Sequence, residues 1–398
     1  MKSYPVSAMF YRDMLLNDCL PFWEKNSIDR KCGGYFTSLN RDGSAYDTDK
    51  FVWLQGRQVW MFSMLYNRLE ARQKWLDIAT HGWRFLKQHG RAKDGNWYFA
   101  LNRQGQPLVQ PCNIFADCFA AMAFSQYALA TGDEESSQIA RDTYQNILKR
   151  RNNPKGQWSK TIGATRALKS FAIPMILSNL ALEMEWMLPK KDVERALDIC
   201  IHEVMDVFYD KKSGLIFENV NADGSHCDSF EGRLLNPGHG IEAMWFMMDI
   251  AQRRNDAKLS GKCCDITMNI IRHAWDKQYG GIFAFLDTKG LPPLQLEWDQ
   301  KLWWVHQETL VALIKGYNLT LRKELLAQFR RLHDYSWKHF HDAKYGEWYA
   351  YLNRQGQLLL PAKSGKWTGC FHLPRMLYLV YREMEKARPP IKSGRRNL

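Results

Sequence analysis

A chain of 398 residues has room for one large domain or two to three ordinary ones, and 45% hydrophobic and 13% aromatic content is enough for a substantial core. The formal net charge of +13 invites a nucleic-acid reading, but the basic residues are interleaved with 42 acids, so the expectation is a basic surface that draws small anions, with no nucleic-acid partner. No stretch approaches the roughly 18 apolar residues that span a bilayer, and Met1-Lys2-Ser3-Tyr4-Pro5 lacks an apolar leader core. Nine irregularly spaced cysteines point to reduced thiols, so a soluble cytoplasmic protein with no membrane partner is expected.

The predicted elements recur along the chain. A short aromatic run closed by a polar turn stands loosely at 34–43, then at 95–106, in degenerate form from Gly156, and again at 214–224, 281–290 and 346–357. The landmark glycines (34, 95, 156, 214, 281, 346) are separated by 61, 61, 58, 67 and 65 residues. Each run reads as a small β-hairpin. Amphipathic segments such as 75–89, 194–208 and 323–340 precede the runs. More uniformly apolar helices follow them, at 59–65, 119–129, 176–188, 243–251, 310–317 and 376–381. A helix apolar on every side belongs inside. The pattern predicts an all-α (α/α)6 barrel, a toroid of six helical hairpins with short β-hairpins at one end, filling 1–386 as a single domain. The basic segment 387–398 is expected to be a disordered tail.

Aligning the apolar helices on their greasy runs brings Arg57, Asp117, Asn179, Glu242, Glu308 and Arg375 into one register at their entrances. The entrance Asn236-Pro237-Gly238-His239-Gly240-Ile241-Glu242 reads as a loop stopping where a helix begins. His239 and His372 each stand three positions before a ring member, and His306 stands two before Glu308. A shared cavity at the toroid mouth accounts for these residues together. Tyr35, Trp53, Trp303, Trp304 and Trp367 add aromatic faces, which suit the CH faces of a sugar.

Two histidines on different helices can face opposite sides of one substrate carbon and exchange protons near neutrality. A carbon acid next to a carbonyl then needs a fixed positive charge for its enediolate oxygen, and Arg57 is the candidate. Glu242 is placed to orient His239. No metal is expected: Cys263-Cys264 and Cys112…Cys118 lack zinc spacing, and His333, His339 and His341 are irregularly spaced. With no GxGxxG after a strand and no P-loop at Ser364-Gly365-Lys366-Trp367-Thr368, NAD and Walker-type ATP hydrolysis are not expected.

Trp53-Leu54-Gln55-Gly56-Arg57-Gln58, Ile173-Pro174-Met175 with Asn179, Asn236-Pro237-Gly238-His239-Gly240-Ile241-Glu242, Trp303-Trp304-Val305-His306-Gln307-Glu308 and Cys370-Phe371-His372 occur in order along the chain. Together they resemble the N-acylglucosamine 2-epimerase family, whose mammalian members are also called renin-binding proteins, and are nearest its bacterial, cyanobacterial-type members. The resemblance implies an (α/α)6 barrel that interconverts N-acetylglucosamine and N-acetylmannosamine by moving the C2 proton. It implies His239 and His372 as the acid/base pair, Arg57 at the enediolate oxygen, and Glu242 and Glu308 in support of the histidines and of ring opening. It also implies a homodimer and ATP as a non-consumed activator. The readings left open are another sugar 2-epimerase or aldose–ketose isomerase acting on cellobiose or mannose, a glycoside hydrolase using carboxylates such as Glu242 with Glu308 or Asp299, and a protein-binding module.

Overall fold

Helices that are apolar all round need partners on every side, and the chain supplies them by wrapping one ring of helices around another. The computed structural model describes residues 4–162 and 165–386, so the segment 387–398 lies outside the described residues. The first outer segment is α1 (Ala8–Asp13), a π-helical stretch (Met14–Cys19) and α2 (Leu20–Asn26), and the inner α3 (Val52–Arg68) follows. Outer α4 (Gln73–Phe85) leads to inner α5 (Ile114–Thr131), and outer α6 (Glu134–Arg150) to inner α7 (Ala172–Met184). Outer α8 (Lys190–His202) leads, past the short α9 (Phe230–Arg233), to inner α10 (Pro237–Arg254). Outer α11 (Ala257–Ala274) and α13 (Lys323–His339) precede inner α12 (Trp303–Thr320) and α14 (His372–Glu385). Each inner helix packs on the next, and α14 returns to α1 and to α3, where Phe371 meets Trp60. This is the expected (α/α)6 toroid.

Inner helix α5 departs from the expectation that no stretch approaches membrane-spanning length. It is 18 residues long and apolar enough to cross a bilayer by composition, yet 78% of it is buried within the toroid. Its hydrophobicity is that of a helix surrounded by protein. At Gly56 of α3 an added Cβ would come within 2.8 Å of the Phe119 carbonyl, so these two inner helices approach closely only because the residue is glycine.

The aromatic runs sit at the N-terminal ends of the inner helices, where they form three true hairpins. Ser38–Leu39 pairs with Ala45–Asp47, Ala100–Leu101 with Pro107–Val109, and Tyr351–Leu352 with Leu358–Leu360. The copies at 214–224 and 281–290 differ from the expectation: Asn219–Asn221 pairs with Leu168–Ser170, and Leu286–Asp287 with Leu234–Leu235. The copy at Gly156 is one helical turn, Gly156–Trp158. Strand pairing is decided by which backbone edge lies alongside, and here the neighbouring unit supplies it.

The repeated Asn-Arg-X-Gly turns have a physical purpose. Arg103 and Lys50 both bind the buried Asp29, Arg354 and Lys301 bind Asp276, and Arg41 and Lys363 bind Asp342. Each triad clamps the turn of one unit to the loop of the unit before it, and the Arg41–Asp342 pair joins first unit to last. Burial alone would raise the Asp276 carboxyl, but Arg354 and Lys301 hold it at about 2. The opposite end is closed by Glu183, which accepts from Trp60, Gln126 and Arg68, and by Lys315 between Asp249 and Glu383.

Candidate active site

The mouth is organised by the start of α10. Asn236 caps the helix, its side-chain oxygen accepting the His239 N–H at 3.2 Å, and Pro237 occupies the first turn. A Cβ on Gly238 would lie 2.3 Å from the Trp304 ring, so glycine there lets Trp304 press against the helix entrance. The Trp304 ring centroid is 5.5 Å from that of His239 and 5.8 Å from that of His372, so both imidazoles flank one indole.

Each histidine is backed by a carboxylate. His239 Nδ1 lies 3.0 and 3.1 Å from the two oxygens of Glu218, and His372 Nδ1 lies 2.7 Å from Glu308 Oε1. A carboxylate only accepts, so each Nδ1 donates and each Nε2 is left to act on a substrate. Behind His372 the contacts continue. Arg375 Nη2 donates to Glu242 at 2.5 Å and Glu308 at 2.7 Å, and Trp245 Nε1 donates to the second Glu308 oxygen at 2.9 Å. Burial lowers the affinity of His239 for a proton, but Glu218 and then Glu242 outweigh it, and the result is raised. Burial, Arg57 and Arg375 hold His372 well below the ordinary 6.5.

Arg57 reaches the same cavity from α3. Its guanidinium sits 4.3, 4.2 and 4.5 Å from the ring centroids of Trp53, Phe119 and Phe371, and it makes no ion pair among the described residues. Burial, only partly offset by Glu242, pushes its pKa down to about 9. The Arg57 Nε and Trp53 Nε1 hydrogens are buried with no hydrogen-bond partner among the described residues. Other indole N–H groups, those of Trp275, Trp337 and Trp348, are also without a partner among the described residues, so it is the place of Arg57 and Trp53 at the mouth that makes them candidates to meet a ligand oxygen. Asn179 joins them from α7. Among the described residues its amide meets Met122 Sδ at 3.9 Å and no other side-chain partner, and it lies one turn above Glu183, which reaches across to α3 and α5.

Glu242, Glu308 and His372 offer donor atoms within 4.8 Å of one another, the grouping best arranged to hold a metal among the described residues. A guanidinium nitrogen already lies between them: Arg375 Nη2 is within 2.7 Å of both carboxylates and 3.4 Å from His372 Nδ1. The positive charge this cluster calls for is supplied by the chain itself.

Three residues expected at the mouth lie elsewhere. Tyr35 is fully buried between α3 and α4, its hydroxyl donating to the Ile78 carbonyl at 2.6 Å. Asp117 faces outward and accepts from Arg150 of α6 at 3.0 Å; burial raises its carboxyl to about 7 despite Arg150. It stands two residues from Phe119, which turns the other way onto Arg57. His306 is a core histidine. Its Nδ1 donates to the Leu302 carbonyl at 2.7 Å and its Nε2 accepts the Ile282 N–H at 3.1 Å, while burial drives its pKa to about 3. Trp303 packs edge-on against Tyr351 and His372, and Trp367 is half exposed at the rim against Trp53.

Glu242, expected to orient His239, is held by Arg375 instead, and Glu218 does the orienting. Glu218 is not among the residues expected at the mouth, although the sequence carries a signal for it. The position two beyond the bridged residue of each aromatic run carries Thr37, Phe99, Ala284 and Ala350, and an acid only at Glu218.

The sequence model of the family described as N-acylglucosamine 2-epimerase (GlcNAc 2-epimerase) matches residues 34–373. The chain belongs to the N-acylglucosamine 2-epimerase family. It is 37% identical over 374 residues to the N-acylglucosamine 2-epimerase of Mus musculus, covering 91% of this chain and 88% of that one. To the Homo sapiens N-acylglucosamine 2-epimerase it is 35% identical over 371 residues, covering 91% and 86%. Among solved structures, a cellobiose 2-epimerase from Bacillus thermoamylovorans shares the fold with a TM-score of 0.82 at 21% identity, over 94% of this chain and 98% of that one. A D-mannose isomerase superposes with a TM-score of 0.79 at 18% identity, covering 97% and 100%.

Proposed function

We propose that this protein interconverts N-acetylglucosamine and N-acetylmannosamine by inverting C2. The observation that carries the reading is the pair of histidines flanking Trp304, each with its Nδ1 tied to a carboxylate and its Nε2 without a partner among the described residues, beside the guanidinium of Arg57, which has no ion pair among them. The open-chain aldehyde acidifies its C2–H bond. One imidazole Nε2 takes that proton, the bonding pair moves into the C1–C2 bond, and the C1 oxygen becomes an anion next to Arg57. The second imidazole returns a proton to the opposite face. Because C2 of this substrate carries nitrogen, the intermediate is an enolate with its charge on the C1 oxygen; an enediolate forms only with sugars bearing a C2 hydroxyl.

The site favours this chemistry over hydrolysis. A hydrolase needs two carboxylates bare to the substrate, whereas Glu242 and Glu308 are both tied to Arg375. The same two histidines serve cellobiose or mannose equally well, so substrate choice within the superfamily is part of the test. The family resemblance adds a homodimer and ATP as an activator that is not consumed, and the irregularly spaced cysteines add a cytoplasmic setting. The decisive experiment is proton NMR of N-acetylmannosamine with the protein in D2O, with and without ATP. Growth of N-acetylglucosamine signals with loss of the C2 proton is the expected result. Exchange with cellobiose or mannose alone would keep the mechanism and discard the N-acetyl substrate, and no exchange with any of them would discard the mechanism.

A further inference from the structure

The two histidines are not equivalent, and the difference is built into the scaffold. Glu218 makes no other side-chain hydrogen bond among the described residues, so its carboxylate is committed to His239. The other charged side chain acting on His239 is Glu242. His372 also meets a carboxylate, but Glu308 is shared with Arg375 and Trp245, and Arg57, Arg375, Glu242 and His239 act on the ring as well. Negative charge therefore surrounds one imidazole, and positive charge prevails around the other.

We propose that Glu218 is a positioning residue that keeps a proton on His239 in the free enzyme, making His239 the resting acid and His372 the resting base. The opposite directions in which their surroundings move the two imidazoles agree with this. The proposal rests on the epimerase reading and assigns the roles within it. In one direction His372 Nε2 takes the C2 proton and His239 Nε2 delivers its own to the other face. The turnover ends with the charge on the wrong ring. Before the next turnover in that direction, His372 gives its proton to water and His239 takes one up, and His239, with a quarter of its side chain exposed, is the ring nearer to solvent. The pair holds one proton in both directions, so both directions share one pH profile with macroscopic limbs.

Glu218→Gln isolates this role, because the Glu218 backbone is anchored independently: its N–H donates to the Leu234 carbonyl at 3.2 Å and its carbonyl accepts from Phe171 at 2.9 Å. Two readouts decide. The first is kcat/KM for N-acetylmannosamine against pH in the wild type, Glu218→Gln and Glu218→Asp. The alkaline limb of Glu218→Gln is expected about one pH unit lower, a roughly tenfold loss above the limb with activity on the acid side nearly kept, and Glu218→Asp is expected to restore most of it. The second is imidazole NMR titration in substrate-free protein, in which His239 is charged and His372 neutral at neutral pH. A Glu218→Gln profile that is scaled down without a shifted limb would reduce Glu218 to a structural part. A neutral His239 beside a charged His372 in the wild type would overturn the assignment, whether or not the variant folds. A wild type that exchanges no C2 proton removes the epimerase reading, while the titration still decides whether Glu218 holds a proton on His239.

Discussion

Replacing Arg57 with methionine is expected to stabilise the fold and destroy the activity. The guanidinium is buried among Trp53, Phe119 and Phe371 and has no ion pair among the described residues. A folded-state pKa of about 9, against the ordinary 12.5, means that at every pH below about 9 the guanidinium stays charged and its burial costs the fold roughly 5 kcal/mol. Three ring faces return about 0.5–1 kcal/mol each. The net penalty of roughly 2–3 kcal/mol is removed when an unbranched apolar side chain takes the space. At about 2.1 cal/mol/K of unfolding entropy per residue, a chain of 398 residues gains roughly 1 °C in Tm per kcal/mol, so Arg57→Met should melt about 2–3 °C higher. Turnover should fall at least about 10²–10³-fold, because the enolate oxygen loses its fixed cation. Thermal unfolding followed by circular dichroism and C2-proton exchange followed by NMR, on one preparation, test both halves. A Tm lowered by several degrees would show that the charge is stabilised by something this accounting omits, and near-normal exchange would remove Arg57 from the chemistry.

Three further outcomes follow from the same geometry. His239→Ala and His372→Ala should each abolish formation of the other epimer, while C2-proton exchange survives for a different epimer in each variant; equal epimerisation in either would remove that histidine. His306→Ala strips partners from the Ile282 N–H and the Leu302 carbonyl, so it should cost about 2–4 kcal/mol of stability in denaturant titration while turnover per folded molecule is unchanged; a specific loss of turnover would return His306 to the site. Asp276 has its folded-state carboxyl lowered to about 2, so the stability it contributes is present above its unfolded value near 3.8 and is lost as pH falls from there toward 2. Asp276→Asn should flatten that part of the acid-unfolding curve, and an unchanged curve would show that the clamp does not control acid stability.

The fold could be read from the sequence because its signals are local. Helices apolar all round, such as α5, state their burial in their own composition, and the six-fold spacing of the aromatic runs counts the units. The Asn-Arg-X-Gly turns were visible as a repeat, but their purpose was not, because Asp29, Asp276 and Asp342 lie in different loops from the arginines they hold.

The candidate site was readable only as far as helix register reaches. Arg57, Asn179, Glu242, Glu308 and Arg375 share an entrance register, and their helices happen to turn that position inward. On α5 the same register faces outward, so Asp117 went to Arg150 and Phe119 came to Arg57. A linear pattern fixes where a residue sits along its helix but not how the helix is rotated about its axis, which packing against the neighbours decides. His306 shows the same limit, one helical step from the lumen and wholly engaged by backbone. Glu218 lay beyond pattern altogether, since its pairing with His239 joins a strand edge to a helix start 21 residues on. The sequence by itself determined the toroid, its mouth and the two histidines; the tertiary structure alone decided which carboxylate stands behind each of them, because charge pairing across a cavity depends on distance in space and leaves no period in the chain.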